Sequence, residues 1–183
     1  MKNWIIGSLV GAIIIFGWQF LSWQVLHLHQ GGTQYHPAQE TIMSNLSSSI
    51  SEDGAYMLPT AKPGASQKEH EELMKQMEGK PWASVIFHKS YESKMARRMI
   101  RGFLVDLFLV FTLIYILTRG GIPGSTRVFA GSVAVGLFTF LWGPYMGHNW
   151  FDLPLGMIKG DLIDAIAAWG ICGLWLGWWL NRK

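Results

Sequence analysis

The sequence predicts an all-α membrane protein, a bundle of four transmembrane helices with a small extracytoplasmic α+β cap between the first two. Half of the 183 residues are hydrophobic, and they include 10 Trp and 10 Phe. The apolar residues are gathered into four long blocks instead of being spread along the chain. Because about 20 apolar residues cross the hydrocarbon core as a helix, the blocks predict four spans, at residues 4–26, 100–118, 128–146 and 161–180.

The first block must be distinguished from a cleavable signal peptide. Like a signal peptide it follows a basic residue, Lys2, but its apolar stretch exceeds the roughly 7–15 residues that are usual there. No small-x-small cleavage site follows, since the chain continues as SWQVLHLHQ. We therefore expect residues 1–26 to be a retained first span.

Residues 27–99 are mostly polar and predict the cap, followed by an amphipathic lead-in to the second span. PAQETIMSNLSSSI places its apolar residues on one helical face, and SQKEHEELMKQMEGK predicts a helix capped by Ser66 and ended by Gly79. SEDGAYMLP and PWASVIFH each predict a short strand. A unit of this size buries little core of its own, so we expect it to rest on the membrane end of the bundle.

Residues 100–183 supply the other three spans, and small residues predict how the helices pack. The first span has Gly7 and Gly11 one turn apart, and the fourth has Gly170, Gly173 and Gly177 close to one stripe. Small residues let membrane helices approach closely, where packing drives their association. The pattern predicts a compact four-helix bundle.

Basic residues predict the orientation. Lys2, the loop RGGIPGSTR and the terminal Arg182 and Lys183 all fall on one side of a four-span chain, and the positive-inside rule makes that side cytoplasmic. A competing cluster precedes the second span, but it belongs to a segment longer than about 60 residues, which the rule discounts. We expect both termini inside and the cap outside.

Charge and cysteine content exclude two classes of function. The net charge of +3 comes from residues flanking the spans, whereas residues 27–99 hold eight basic and eight acidic residues. No basic face exists to bind nucleic acid. The single cysteine, Cys172, excludes chemistry that needs a thiol pair within one chain. No nucleotide-binding, hydrolase or HExxH motif occurs, and no cofactor is predicted.

Ionisable residues at membrane depth cluster toward the outer end of the predicted bundle. The candidate polar site contains Asp106, Asp164, His148, Arg98 and Arg101. An acid within a span is by default a functional hypothesis, with these residues as proton carriers or ligands. The alternative is structural, with Asp106 paired to an arginine. Because the inner halves of the spans have few polar residues, the pattern argues against a path across the membrane.

Two further motifs have both a functional and a structural interpretation. His27, His29 and His36 could bind a metal, since alternate residues of an extended segment point to one side; interfacial histidines are also common without a metal. Asp161 and Asp164 are adjacent on a helical face. At the start of the fourth span Asp161 could simply complement the helix dipole.

Three segments resemble uncharacterised bacterial membrane proteins of similar length: GWQFLSWQVL, AQETIMSNLSSSISEDGAYMLP and DLIDAIAAWGICGLWLG. In these proteins a Trp-containing first helix leads to a short helix and a G-x-Y-x-x-P strand, which here is Gly54, Tyr56 and Pro59. The resemblance implies a multi-pass protein of the bacterial inner membrane and supplies no activity.

The sequence thus predicts a non-catalytic accessory or assembly subunit that contacts the lipid bilayer and membrane-protein partner subunits. One alternative is a small-molecule or proton-coupled carrier with a polar site at the outer leaflet. A third is a membrane enzyme acting on lipid or quinone.

Overall fold

A computed structural model describes residues 2–182, which divide into two compact units. The first unit consists of the chain up to Gln34 and from Lys94 onward, and the second is Tyr35–Ser93. The helices and strands, in chain order, are α1 (Lys2–Phe20), α2 (Gln39–Ser49), β1 (Gly54–Leu58), α3 (Gln67–Met77), β2 (Ala83–Phe87), α4 (Met95–Leu117), α5 (Ser125–Phe140), α6 (Met146–Phe151) and α7 (Leu155–Asn181).

Within the described chain, four helices are long and apolar enough to cross a membrane, which indicates a multi-pass membrane protein. They are Asn3–Val25, Met95–Leu117, Ser125–Phe151 and Leu155–Asn181. The first includes a π-helical turn, Leu21–Val25, that continues α1. The third includes another, Leu141–Tyr145, that joins α5 to α6.

The fourth span begins earlier than the sequence pattern predicts. Pro154 is the residue before α7, and the segment GMIKG continues the helix to Asp161. Asp161 is therefore the seventh residue of α7, too far inside to complement the helix N-terminus as expected, because that effect fades within the first turn.

Consecutive spans of the bundle run in opposite directions. Helix α1 packs against α4 and α7, and α5 packs against α7. The core between them contains the fully buried Val110, Ile114, Cys172 and Leu176. At one end the Trp179 indole donates a hydrogen bond of 2.8 Å to the Asn3 carbonyl, which joins the start of α1 to the end of α7.

Glycines lie where the helices approach most closely. A Cβ atom on Gly11 would lie 2.7 Å from Val110, and one on Gly173 would lie 2.7 Å from the Ser132 Cβ. Gly7 and Gly177 are also close, at 3.0 Å from Ile114 and from the Ser125 carbonyl, respectively. Gly170 has only ordinary contacts, at 3.8 Å.

Gly136, which forms a small-x-x-x-small pattern with Ser132 in the third span, faces α7. A Cβ atom there would overlap the Ala165 carbonyl oxygen and the Trp169 ring. The α5–α7 interface therefore depends on small residues of both helices, as packing in membranes favours.

The second unit contains a two-stranded antiparallel sheet, in which Gly54 pairs with Phe87 and Leu58 with Ala83. The Ser66 cap of α3 is present as a capping box. The Ser66 hydroxyl accepts from the Glu69 amide at 3.3 Å, and the Glu69 carboxylate accepts from the Ser66 amide at 2.6 Å.

Candidate functional site

A cleft opens at the end of the bundle where α1 ends and α4 and α7 begin. It has a volume of about 790 Å³, within the range of roughly 300–1,000 Å³ that is usual for small-molecule sites. Its apolar lining consists of Ile15, Phe16, Met99, Phe140, Ala165, Ala168 and Trp169, most of which are buried. Its polar lining consists of Gln19, Gln24, Arg98, Thr139, Asp161 and Asp164.

Asp164 is held in place by both of its oxygens. The Trp18 indole donates a hydrogen bond of 2.8 Å to Oδ1. Nε2 of His29 lies 2.9 Å from Oδ2. Because both bonds come from residues at or beyond the end of α1, Asp164 fastens that end of the chain to α7.

His29 is fixed from three directions. Its Nδ1 lies 3.8 Å from Oδ1 of Asp161, so that both ring nitrogens are directed at carboxylates. Its ring stacks on Trp23 with the centroids 4.1 Å apart. The His29 side chain is only 6 % exposed. This imidazole is a structural contact between α1 and α7.

The backbone of the turn that contains His29 lies very close to α7. His27 adopts a left-handed conformation with φ 53°, and the chain then forms a 3₁₀ turn at Gln30–Gly32. A Cβ atom on Gly156 would lie 2.5 Å from the Gly31 carbonyl oxygen, and one on Gly160 would lie 2.7 Å from the His29 ring. Glycine at these two positions of α7 allows the turn to dock.

The structure does not place the three histidines considered as metal ligands on one extended segment. The π-helical turn and the left-handed His27 bend the chain, and His29 is bound to Asp164. His36 belongs to the second unit, where its Nδ1 accepts from the Ala38 amide at 3.2 Å. Across residues 2–182 no three His, Cys, Asp or Glu side chains are placed to hold a metal ion.

Asp106 does not line the cleft, but it contacts Gln19, which does. The aspartate is 5 % exposed, and its Oδ1 accepts a hydrogen bond of 3.2 Å from the Gln19 amide. Its Oδ2 has no hydrogen-bond partner among the described residues. The expected pairing with an arginine is not what the structure shows, since the contact comes from an uncharged amide on α1.

The remaining candidates occupy different positions. Arg98 lines the cleft, whereas Arg101, one turn along α4, is exposed outside its lining. His148 lies in α6, and its Nδ1 is 2.6 Å from the carbonyl oxygen of Leu153 in the turn before α7. Asp152 in that turn is left-handed, with φ 50°. His148 therefore stabilises a turn.

Sequence reasoning missed Trp18 and Gln19, the two α1 residues that bind the aspartates. Gln19 carried a usable signal, because it is a polar residue inside an apolar span and lies near the same end as Asp106. Trp18 carried none, since tryptophans are expected at membrane interfaces whether or not they donate to a carboxylate.

Two charged groups of the cleft are left available to a ligand. Asp161 has only the 3.8 Å contact to His29, and its side chain is 37 % exposed. Arg98 is exposed and forms no ion pair within the described part of the chain. The cleft thus combines an apolar interior with free charges of both signs.

Comparisons with protein-family models, curated proteins and solved structures found no match to this chain.

Proposed function

We propose that this chain is a non-catalytic protein of the bacterial inner membrane that holds an amphipathic molecule in the cleft. The observation that carries the proposal is the lining of the cleft, in which apolar side chains from four spans line the same space as Arg98 and Asp161. A molecule with an apolar tail and a polar head matches this division. A cleft of about 790 Å³ is large enough for a ligand that remains in the membrane.

The proposed orientation puts the cleft in the outer leaflet. The start of α1, the loop before α5 and the end of α7 lie at the opposite end of the bundle, as the contacts of Trp179 with Asn3 and of Asn181 with Pro123 indicate. That end carries Arg119, Arg127 and Arg182. The positive-inside rule supports a cytoplasmic location for it, with the second unit as an extracytoplasmic cap.

Catalysis is less well supported than binding. The His29–Asp164 pair resembles an acid–base dyad, but both imidazole nitrogens are directed at carboxylates and the ring is covered by Trp23. A general base must reach the proton that it removes, and His29 is occupied. A carrier has little support as well, because a path needs polar groups that continue across the bundle, whereas Val110, Leu113 and Leu176 form an apolar core there.

An accessory or assembly subunit is the second candidate. It is favoured by large aromatic side chains exposed near the cleft end of the third span: Trp142, Trp150 and Phe151. Aromatic residues suit a membrane interface and a protein interface equally. Purification in a mild detergent distinguishes the two, since a stoichiometric partner subunit is expected only for the second candidate.

The proposed function is tested by filling the cleft. Gly102 lines it, and a Cβ atom there has no neighbour closer than 4.0 Å. Gly102→Leu should therefore occupy the cleft without disturbing the helices. The control is Gly17→Leu, at an exposed position of α1 with nothing within 4 Å of the added Cβ.

Native mass spectrometry of the full chain in mild detergent measures bound amphiphile. We expect wild type and Gly17→Leu to retain one equivalent and Gly102→Leu to lose it. Equal retention by all three proteins, or none by wild type, would contradict the proposal.

A further inference from the structure

We infer that the amphiphile is a phospholipid whose headgroup carries both a phosphate and a primary ammonium, bound by Arg98 and Asp161, respectively. This inference rests on the proposed function and adds the chemical class of the ligand. It follows from which charges of the cleft are already used by the protein and which are free.

Asp161 is the carboxylate available to an ammonium group. Asp164 is not, because the Trp18 indole and the His29 ring occupy its two oxygens at 2.8 and 2.9 Å. Asp161 has a single contact at 3.8 Å and a more exposed side chain than Asp164, 37 % against 19 %. A primary ammonium would supply the N–H donors that Asp161 lacks.

Arg98 is the cation available to a phosphate. It lies in the second turn of α4 and lines the cleft, and it forms no ion pair within residues 2–182. A guanidinium presents several N–H donors in a planar fork that matches phosphate oxygens. Arg97 and Arg101 are on the same helix but outside the lining.

The combination of charges selects a zwitterionic headgroup. An anionic headgroup would satisfy Arg98 but leave Asp161 without a cationic partner. A purely cationic head would leave Arg98 without a partner. A headgroup with both charges satisfies Arg98 and Asp161 together, while its acyl chain covers Phe16 and Phe140 in the apolar part.

The test compares headgroups on identical acyl chains. Phosphatidylethanolamine, phosphatidylglycerol and phosphatidylcholine are titrated separately onto delipidated full-length protein and counted by native mass spectrometry. Wild type should bind phosphatidylethanolamine about three- to tenfold better than the other two, the range expected for one charge-assisted contact. Asp161→Asn should remove that preference, and Arg98→Gln should weaken the binding of all three lipids.

Matched controls exist for both substitutions. Asp152→Asn changes an exposed aspartate outside the cleft, at a left-handed position that asparagine tolerates. Arg97→Gln changes the neighbouring arginine of α4. Both controls should bind lipid as wild type does, and equal melting temperatures for all four variants show that the fold is intact.

Two results would overturn the inference, and they differ from failure of the proposed function. If the three lipids bind equally, or if Asp161→Asn keeps the preference, the headgroup assignment is wrong, although loss of all three in Gly102→Leu still supports an amphiphile in the cleft. If no lipid binds to wild type and Gly102→Leu changes nothing, both the assignment and the proposed function are wrong.

Discussion

The bundle buries some side chains of every span between its helices, whereas those of Tyr35–Ser93 remain largely exposed. The bundle has fully buried residues on several spans, among them Val110, Val128 and Leu176. In the second unit, Phe87 alone among the described residues is buried. The contacts that organise this unit lie at exposed positions: the capping box of α3, and Asp53, which accepts from the Lys89 amide at 3.0 Å.

The contrast shows that different forces stabilise the two units. Close packing of helices, with polar bonds at one end, stabilises the bundle. The second unit depends on hydrogen bonds at exposed positions, each of which contributes modestly in water. Substitutions in the bundle should therefore change the free energy of unfolding strongly, by an amount that depends on how closely the helices approach. Substitutions in the second unit should change it little, and their effect should depend on pH.

The largest effect is expected at the close approach of α5 and α7. Gly173→Ala would place a Cβ atom 2.7 Å from the Ser132 Cβ and 3.2 Å from the Phe129 Cα. Because one of these atoms is backbone, we expect a loss of about 3 kcal/mol in the free energy of unfolding, the upper end for overpacking. Unfolding in a mild detergent titrated with sodium dodecyl sulfate measures it.

Gly170→Ala is the matched control, one turn away on the same helix. Its Cβ atom would lie 3.8 Å from Phe129 and Val133, and alanine favours a helix over glycine by about 0.5–1 kcal/mol. The two variants should therefore change stability in opposite directions. A gain in both variants would show that helix contacts at Gly173 are looser than the structure has them.

A smaller loss is expected at the polar end of the same unit. Asp164→Ala leaves the Trp18 indole and His29 without their partner, and an unsatisfied buried group costs about 1–3 kcal/mol. We expect the free energy of unfolding to fall by about 2 kcal/mol in Asp164→Ala. In Asp161→Ala it should fall by less than about 1 kcal/mol, because Asp161 has only a 3.8 Å contact.

A double-mutant cycle with His29→Ala separates the pair from its surroundings. If Asp164 and His29 bind each other, the double variant should lose less stability than the sum of the losses in the two single variants. Additive losses would contradict a direct bond between α7 and the turn after α1.

The four spans could be predicted from sequence because length and hydropathy alone define them. Their ends could not be predicted as well. At α7, Lys159 and Asp161 interrupt the apolar pattern, and yet the helix starts at Leu155, since Gly156 and Gly160 pack against the turn that precedes Thr33. Such a contact depends on residues more than a hundred positions apart.

The site was predictable only in its location. Ionisable residues in the second and fourth predicted spans, and others flanking the spans, pointed to one end of the bundle, and Asp164 and Arg98 line a cleft at that end. Their partners depend on how the helices are rotated, which composition does not show. His29 therefore looked like a metal ligand, although in the structure it binds Asp164.

Asp106 should tolerate loss of its charge. In Asp106→Asn the side-chain oxygen can still accept from the Gln19 amide, so we expect the free energy of unfolding to stay within about 1 kcal/mol of wild type. Lipid retention should also be unchanged, because Asp106 does not line the cleft.

Gln19→Leu should lower the free energy of unfolding more than Asp106→Asn does. It leaves both carboxylate oxygens of Asp106 without a partner in the described chain. Loss of ligand in Asp106→Asn would show that this aspartate belongs to the site.

The smallest effect is a pH response confined to the second unit. The hydrogen bond from the Lys89 amide and the contact with His88 lower the pKa of Asp53. The bond from the Ser66 amide likewise lowers the pKa of Glu69. A carboxyl group whose pKa is lower in the folded state stabilises it above the unfolded pKa, and this contribution is lost as the pH falls through the folded pKa.

We therefore expect the amide signals of Lys89 and Ser66, which donate to Asp53 and Glu69, to change below about pH 4 in the full chain in micelles, as measured by NMR. Asp53→Asn provides the internal control, because it should abolish the response of the Lys89 amide and leave that of the Ser66 amide intact. Amides at the Gly173 contact have no carboxyl partner and should not follow either transition. If the Lys89 amide signal changed with a midpoint above the ordinary pKa of aspartate, the Lys89 amide would not be stabilising the Asp53 carboxylate. If the amide signals at Gly173 changed over the same pH range, the two units would not respond separately.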